Sequence, residues 1–194
     1  MATLYEYYNT GDDGVFNFGD NWWGAQTFTP SVTHKITSVK LLLYRSGSPG
    51  TITVSIKATD GGHPTGPDLC SGTTDGDTLP TTSPYEWREI TLGAGYDPSA
   101  DTKYAIVVRA PDAVAPDYIR WRYDKTSATY GGGNYEVSDD SGFIWTPYPT
   151  YDFMFEEWGE PSPWQGKVSG VTNPAKVMGV DKANISKVKG VASA

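Results

Sequence analysis

The clearest pattern in the chain is the alternation of apolar and polar residues in two consecutive stretches, residues 39–44 and 51–58. A period of two places every second side chain on one face of a β-strand, so each stretch predicts a strand with one buried face. The inward positions are Val39, Leu41, Leu43, Ile52, Val54, Ile56 and Ala58. The joining sequence RSGSPG is rich in turn residues. We therefore predict a hairpin-like pair that needs a second layer to cover its apolar face.

Similar patterns predict further short strands along the rest of the chain. They lie near residues 4–8, 25–29, 69–73, 87–92, 103–110, 118–124, 135–137, 143–145 and 151–158. The strand at 103–110 is apolar on both faces, which is typical of a central position in a sheet. Segments rich in Gly, Asp and Pro, such as 10–21 and 60–67, are predicted as loops. The segments at 135–137 and 143–145 are weak, so we count roughly nine or ten strands and no helix. This pattern indicates an all-β, antiparallel two-sheet sandwich.

The composition supports a β domain and argues against several classes of function. The 194 residues include 22 Gly, 14 Pro, 13 Tyr and 7 Trp, which favours short strands and tight turns over helices. The net charge of −8 argues against a nucleic-acid partner. The lone cysteine, Cys70, excludes an intrachain disulfide, and no apolar run reaches the ~20 residues of a membrane helix. The N-terminal sequence lacks the pattern of a secretory signal, although a chain whose signal has been removed would look the same.

The composition changes after Gly159, which divides the chain into residues 1–159 and 160–194. The first part holds 10 Lys and Arg against 21 Asp and Glu, and the second holds 5 Lys against 2 acids. The second part repeats a K-V-x-G-V unit, as KVSGV, KVMGV and KVKGV. The repeated residues are Lys167, Val168, Val171, Lys176, Val177, Val180, Lys187, Val188 and Val191. Each unit has too few valines to bury a core, so we expect either a disordered tail or an extended tail that docks during assembly.

Several segments resemble a known family, across about residues 20–159. They are AQTFTP, ITSVKLLLYR, GTITVSIKATDGGHPTGPDL, WREITL, TKYAIVVRA and DFMFEEWG. Together they resemble the choice-of-anchor type of microbial surface β-sandwich domain. The resemblance implies a jelly-roll sandwich similar to carbohydrate-binding modules, and it implies no enzymatic activity. The K-V-x-G-V tail is similar to short C-terminal repeats of phage virion proteins.

These features lead to a hypothesis about function. An adhesive type of sandwich without an export signal fits a protein that is made in the host cytoplasm, assembled there and exposed on the virion surface after lysis. We therefore expect a non-enzymatic virion structural protein, either a capsid decoration protein or a tail-fibre component. Its expected partners are capsid or tail proteins and copies of itself, with a trimer as the first expectation. The alternative is a secreted or cell-surface carbohydrate-binding or adhesion module.

The aromatic residues are the best candidates for ligand contact. Five of them fall in predicted loops or at strand ends: Trp22, Trp23, Tyr130, Trp145 and Tyr148. Aromatic rings at such positions offer flat apolar surfaces to the sugar rings of a cell-surface glycan, or anchors to a protein partner. In a sandwich of this size several aromatic residues must belong to the core, so both roles stay open for each of the five.

Catalytic and metal-binding chemistry has little support in the sequence. The two histidines, His34 and His63, fall between predicted strands or in a loop, and no nucleophile elbow or zinc-protease motif is present. Asp75 and Asp77 lie together in an acidic turn and are candidate ligands for calcium, which binds through oxygen atoms. The alternative for both carboxylates is turn capping. Calcium is thus the one cofactor that the sequence suggests.

Overall fold

The computed structural model describes residues 2–162 and four short tail segments, at 167–168, 171–172, 176–177 and 180–181. Residues 2–162 form thirteen β-strands and one short 3-10 turn, Gly76–Thr78. Within the described part of the chain, no helix is both long enough and apolar enough to span a membrane. The prediction of an all-β chain is confirmed.

The strands are numbered in chain order. Those of the first half are β1 Thr3–Tyr8, β2 Gly14–Phe18, β3 Trp23–Phe28, β4 His34–Ser46, β5 Thr51–Asp60, β6 His63–Asp75 and β7 Glu86–Tyr96. Those of the second half are β8 Tyr104–Arg109, β9 Tyr118–Asp124, β10 Tyr135–Ser138, β11 Thr146–Tyr148, β12 Asp152–Phe153 and β13 Phe155–Pro161. The tail segments are β14 Lys167–Val168, β15 Val171–Thr172, β16 Lys176–Val177 and β17 Val180–Asp181.

Seven strands form the larger sheet, in which the first and last strands of the sandwich lie side by side. Its main order is β1-β13-β4-β9-β12, with β7 added to β4 and β2 added to β9. β1 runs antiparallel to β13, so that Thr3 lies opposite Gly159 and Tyr8 lies opposite Phe155. This interleaving of early and late strands is the arrangement expected of a jelly roll.

Six strands form the smaller sheet, in the antiparallel order β11-β10-β3-β8-β5-β6. β8 lies between β3 and β5, and its residues 104–108 are buried. The predicted central position of this strand is therefore confirmed, as is the antiparallel two-sheet sandwich.

The core lies between the inner faces of the two sheets. Trp121 of β9 stacks on Phe153 of β12, with ring centroids 3.9 Å apart. Other large and fully buried side chains are Phe18, Phe28, Phe155, Ile36, Leu41, Leu43, Ile52, Ile56, Leu79 and Ile90. Each such side chain contributes roughly 1.5–3 kcal/mol through its removal from water. The apolar positions of the alternating pattern therefore stabilise the sandwich, because their side chains are buried between the sheets.

The predicted hairpin between residues 39–44 and 51–58 is wrong, although the buried faces of both strands are right. β4 pairs with β7, β9 and β13 in the larger sheet, whereas β5 pairs with β6 and β8 in the smaller one. Residues 47–50 therefore cross from one sheet to the other. Val39 and Ile52 belong to one core because their strands lie in opposite layers.

Three further strand predictions need correction. β2 lies inside the segment 10–21, which the sequence pattern predicts as a loop. β6 includes most of the predicted loop 60–67, because it is an edge strand, where proline and register shifts are tolerated. Residues 143–145 form no strand, and the edge strand β11 begins at Thr146.

The sandwich ends with β13, which continues past Gly159 to Pro161. The first two K-V-x-G-V units form two-stranded sheets that are separate from both sandwich sheets, β14 with β15 and β16 with β17. Their valines lie opposite one another in the pairs Val168 with Val171 and Val177 with Val180. The third unit, with Lys187, Val188 and Val191, lies outside the described residues.

The two ends of the sandwich differ in what they carry. Pro161, where the tail begins, lies opposite His34 at the start of β4. Residues 29–33 join that start to the end of β3 at Phe28. Trp22 precedes the other end of β3, about 20 Å away at the rise of an extended strand. Pro161 and Trp22 therefore lie at opposite ends of the sandwich.

Candidate functional site

A tight turn between β2 and β3 places Trp22 at the surface of the sandwich. The Trp22 N–H donates to the Gly19 carbonyl oxygen at 3.0 Å. Asp20, the first residue inside the turn, has a φ of 54° and so lies in the left-handed region. The Trp22 side chain is 44% exposed, and its ring centroid lies 6.0 Å from that of Phe16 on β2. The turn therefore presents an accessible indole beside β2.

The loop that joins β10 to β11, residues 139–145, is held by its own hydrogen bonds. The Asp140 carboxylate accepts the N–H groups of Phe143 and Ile144 at 3.0 and 2.9 Å. Several hydrogen bonds to the Asp140 carboxylate lower its pKa, and the bond from the Ile144 N–H has the largest effect. The loop is thus fixed from within, although Phe143 at its tip is 89% exposed.

The same loop is joined to the turn that carries Trp22. The Ser141 N–H donates to the Asn21 carbonyl oxygen at 2.9 Å. The Asn21 side-chain amide donates to the carbonyl oxygen of Asp139, 118 residues away in the chain. β10 also pairs with β3 directly. These contacts bring two distant segments together on one surface.

A cleft of about 170 Å³, which we call the tyrosine cleft, lies between the turn and β11. Its lining residues are Trp22, Val137, Asp139, Thr146 and Tyr148. The Tyr148 ring stacks on the rings of Tyr135 and Tyr151, at centroid distances of 5.1 and 5.6 Å. Because Tyr135 is buried in the core, this stack holds the exposed Tyr148 ring in position. The cleft therefore has an aromatic ring on two sides.

A second cleft, of about 270 Å³, also contacts Trp22, and we call it the phenylalanine cleft. Its lining residues are Phe16, Asn17, Phe18, Gly19, Trp22 and Tyr118. Phe18 is buried, whereas Asn17 is exposed. Trp22 is therefore the residue that the two clefts have in common.

A third pocket, of about 280 Å³, lies at the outer face of the smaller sheet. Its lining residues are Trp23, Lys57, Pro64, Thr65, Gly66, Ser141, Gly142, Phe143 and Trp145. Trp23 and Trp145 pack together on the apolar outer face of the sheet. The Lys57 ammonium lies 3.3 Å from the Asp68 carboxylate, which also pairs with Arg109 at 2.5 Å. This pocket, unlike the two clefts, contains a cation.

The five aromatic residues proposed from the sequence do not form a single site. Trp22 and Tyr148 share the tyrosine cleft, whereas Trp23 and Trp145 share the third pocket. Trp145 is only 9% exposed, so much of its surface serves packing. Tyr130 lines none of the three sites. The structure thus singles out Trp22 and Tyr148 as the accessible pair.

Tyr130 has structural contacts. Its hydroxyl donates to the Glu6 carboxylate at 3.0 Å, and its ring packs edge-on against Phe155. Burial, followed by the charge of Glu6, raises the pKa of Tyr130. Tyr130 therefore links β1 to the core near β13.

Sequence reasoning missed several residues of the two clefts: Phe16, Asn17, Phe18, Gly19, Tyr118, Val137, Asp139 and Thr146. Phe16 and Asn17 lie on β2, which the sequence pattern predicts as a loop. The alternation Val15, Phe16, Asn17, Phe18 carries a strand signal that the neighbouring Gly and Asp residues obscure.

Asp75 and Asp77, the candidate calcium ligands, both accept a hydrogen bond from a backbone N–H group. The Asp75 carboxylate accepts the Asp77 N–H at 2.9 Å at the start of the 3-10 turn. The Asp77 carboxylate accepts the Gly50 N–H at 2.9 Å. Among the residues that the structure describes, no three His, Cys, Asp or Glu side chains are grouped as metal ligands. These contacts support the turn-capping alternative, and calcium binding stays a prediction.

The side chains best suited to catalysis also have structural contacts. His34 and Glu157 form a buried pair, with Nε2 2.9 Å from the carboxylate. His63 Nδ1 lies 2.8 Å from the Glu136 carboxylate. Burial raises the pKa of the Cys70 thiol to about 11, which disfavours the reactive thiolate. None of these groups lines the two clefts at Trp22.

Comparisons with known proteins give no family for this chain. No model of a known protein family matches the sequence, and no match is found among curated proteins. The resemblance to microbial surface sandwich domains therefore stays a prediction, and functional conclusions depend on the residues themselves.

Proposed function

We propose that this chain is a non-enzymatic structural protein of a virus particle, displayed through its sandwich and anchored through its tail. The observation that carries the proposal is the division of the chain into a sandwich and separate short β units. The sandwich joins its own end strands, β1 and β13, whereas β14 to β17 belong to neither sandwich sheet. In this proposal the protein is a capsid decoration protein or a tail-fibre component, made in the host cytoplasm.

The tail units are too small to be stable by themselves. Each of the four strands has two residues. An isolated two-stranded sheet is marginally stable in water, and further strands or a packing partner are needed. A capsid or tail protein, or the tails of other copies, would supply that partner.

Charge also favours the tail as the contact segment. Residues 1–159 hold 10 basic and 21 acidic side chains, whereas residues 160–194 hold 5 Lys and 2 acids. Sandwiches of the same negative sign repel one another, and a weakly basic tail does not share that repulsion. A tail contact therefore keeps neighbouring sandwiches apart while it holds them on one particle.

The positions of the two ends support display. The tail begins beside the start of β4, and Trp22 lies beyond the far end of β3. A sandwich anchored by its tail would therefore hold Trp22 away from the particle.

Removal of the tail tests the proposal. We expect a chain truncated after Ser162 to stay folded, because the pairing of β13 with β1 and β4 is then complete. The full-length chain should co-sediment with purified particles from producing cells, whereas the truncated chain should remain in the supernatant. Association of the truncated chain that equals that of the full-length chain would contradict the proposal.

A matched pair of variants separates apolar docking from charge. Val168→Ser with Val177→Ser keeps every lysine of the tail, and Lys167→Gln with Lys176→Gln keeps every valine. Docking through the β units should be lost in the valine variant and largely kept in the lysine variant.

A secreted or cell-surface carbohydrate-binding or adhesion module is the second candidate function. The observation that favours it is the accessible aromatic pair, Trp22 and Tyr148, in the tyrosine cleft. The two functions are compatible, because a displayed sandwich can also bind a glycan. Retention of the purified protein on cell surfaces without particles would favour this candidate.

A further inference from the structure

We propose that the tyrosine cleft and the phenylalanine cleft together bind a neutral oligosaccharide, with at least two linked sugar rings in contact with Trp22. The inference deepens the second candidate function and rests on it, because both depend on Trp22 and Tyr148. It is independent of the proposal that the tail anchors the protein to a particle.

The linings combine aromatic rings with accessible polar groups. Trp22 is 44% exposed and Tyr148 is 38% exposed. Asp139 and Thr146 are exposed in the tyrosine cleft, and Asn17 is exposed in the phenylalanine cleft. A sugar ring has an apolar C–H face and a rim of hydroxyl groups, so it can stack on an aromatic ring while its hydroxyls bond to polar side chains.

The aromatic rings are held in position before a ligand binds. The rings of Tyr148 and Tyr151 are nearly parallel, with an interplanar angle of 6°. Trp22 follows a turn in which Asn21 is bonded to the neighbouring loop at Ser141. Rings that are already fixed lose little conformational freedom on binding, which favours affinity for a weakly apolar ligand.

The sizes of the clefts favour an extended ligand. Their volumes are about 170 and 270 Å³, and both lie below the roughly 300–1,000 Å³ of pockets that enclose a drug-sized molecule. Because Trp22 lines both clefts, a chain of linked rings can occupy both in succession. A single compact ligand would occupy only one of them.

An extended peptide fits this surface less well than a sugar chain. Extended peptides commonly bind by adding a strand to a sheet edge, which requires free backbone N–H and C=O groups. The edge beside the tyrosine cleft is β11, which has only three residues. Its middle residue, Pro147, has no N–H to donate. This edge therefore offers few backbone hydrogen bonds to a peptide.

The charges favour a neutral sugar over an acidic one. Asp139 is the charged residue in the two linings, and neither lining contains Lys or Arg. The chain as a whole has a net charge of −8, which also repels anions. Of the three linings, that of the third pocket alone contains a cation, Lys57.

Binding of the full-length protein to a printed array of neutral and acidic oligosaccharides tests the inference. We expect a neutral oligosaccharide of two or more rings to bind, and calorimetric titration should show tighter binding than for the single sugar. Trp22→Ala should weaken binding about tenfold or more, because it removes the ring common to both clefts. Tyr148→Ala should weaken it less, because this ring lines one cleft.

Phe143→Ala is the matched control, because Phe143 is an exposed aromatic residue that lines neither cleft. It should bind as the unchanged protein does. Three results would overturn the inference: no neutral oligosaccharide bound on the array, binding that survives Trp22→Ala, or binding that Lys57→Ala abolishes instead. None of them affects the tail proposal, which depends on co-sedimentation with particles.

Discussion

His34 and Glu157 form a pair without access to solvent. The Nε2 atom lies 2.9 Å from both carboxylate oxygens, and Nδ1 lies 2.9 Å from the Val32 carbonyl oxygen. Because a carbonyl oxygen only accepts, Nδ1 carries a proton. A second proton must lie between Nε2 and the carboxylate, since two acceptors would otherwise face each other. The folded protein therefore holds one proton that the unfolded chain releases at neutral pH.

The pKa of His34 has the direction that this geometry requires. Burial lowers it, but the hydrogen bond and the charge of Glu157 outweigh burial and raise the pKa above its ordinary value. A raised pKa in the folded state means that folding takes up a proton. The stabilisation is fully present below about pH 6.5, the pKa of an unfolded histidine, and is lost as the pH rises through the folded pKa.

We therefore predict that the free energy of unfolding falls as the pH rises above about 6.5, by up to about 1.4 kcal/mol per pH unit. Glu157→Gln removes the charge that raises the pKa of His34, so its slope should be much smaller. Glu156→Gln changes a carboxylate on the opposite face of β13 and should keep the original slope. Urea unfolding at several pH values measures the slopes. Equal slopes for Glu157→Gln and the unchanged protein would contradict the prediction.

Between elements, the close approach of β6 and β7 depends on a glycine. β6 belongs to the smaller sheet and β7 to the larger one, and the two run past each other at one side of the sandwich. A Cβ atom at Gly72 of β6 would overlap the carbonyl oxygen of Thr91 on β7. It would also lie 3.1 Å from the Ile90 side chain. Backbone cannot yield as easily as a flexible side chain, so a larger residue must push the sheets apart.

Gly72→Ala should accordingly lower the free energy of unfolding by about 1–3 kcal/mol, the usual cost of overpacking. Gly131→Ala is the matched control, because a Cβ atom there meets nothing within 4 Å. It should change stability by less than about 0.5 kcal/mol. Urea midpoints of the two variants give the comparison, and equal midpoints would show that the two strands do separate easily.

Strand faces could be predicted from the sequence, whereas strand partners could not. Val39, Leu41 and Leu43 are buried as their alternation predicts, because the face to which a strand side chain belongs depends on the local period of two. The sheet to which each strand belongs depends on contacts across the whole chain, as between β4 and β13. The short connection at 45–50 therefore predicted a hairpin where the chain in fact changes layers.

The candidate site shows the same limit. Trp22 and Tyr148 could be selected as aromatic residues near strand ends, but their shared cleft depends on the pairing of β10 with β3. Tyr130 was an equally good candidate for ligand contact, because it precedes a Gly-rich segment. In the structure, however, its hydroxyl donates a hydrogen bond to Glu6. Local sequence does not reveal which glycine-rich loop folds back onto the core.

In the whole molecule, the negative charge of the sandwich disfavours assembly, whereas the weakly basic tail favours it. The 21 acidic residues of the first part disfavour contact between sandwiches. The tail pairs Val168 with Val171 and Val177 with Val180. A two-stranded unit of this size is too small to bury its own valines. Symmetric copies can cover one another's valines around an axis.

We therefore predict that the full-length protein is a homo-oligomer, with a trimer as the first expectation, and that the chain truncated after Ser162 is a monomer. Light scattering on both proteins at micromolar concentration measures the mass. Added salt should not dissociate the oligomer, because screening weakens the repulsion between sandwiches and leaves apolar contact between tails intact. A filament would indicate head-to-tail strand exchange in place of closed symmetry. A full-length monomer would contradict assembly through the tail alone and would leave a capsid or tail protein as the partner that the β units require.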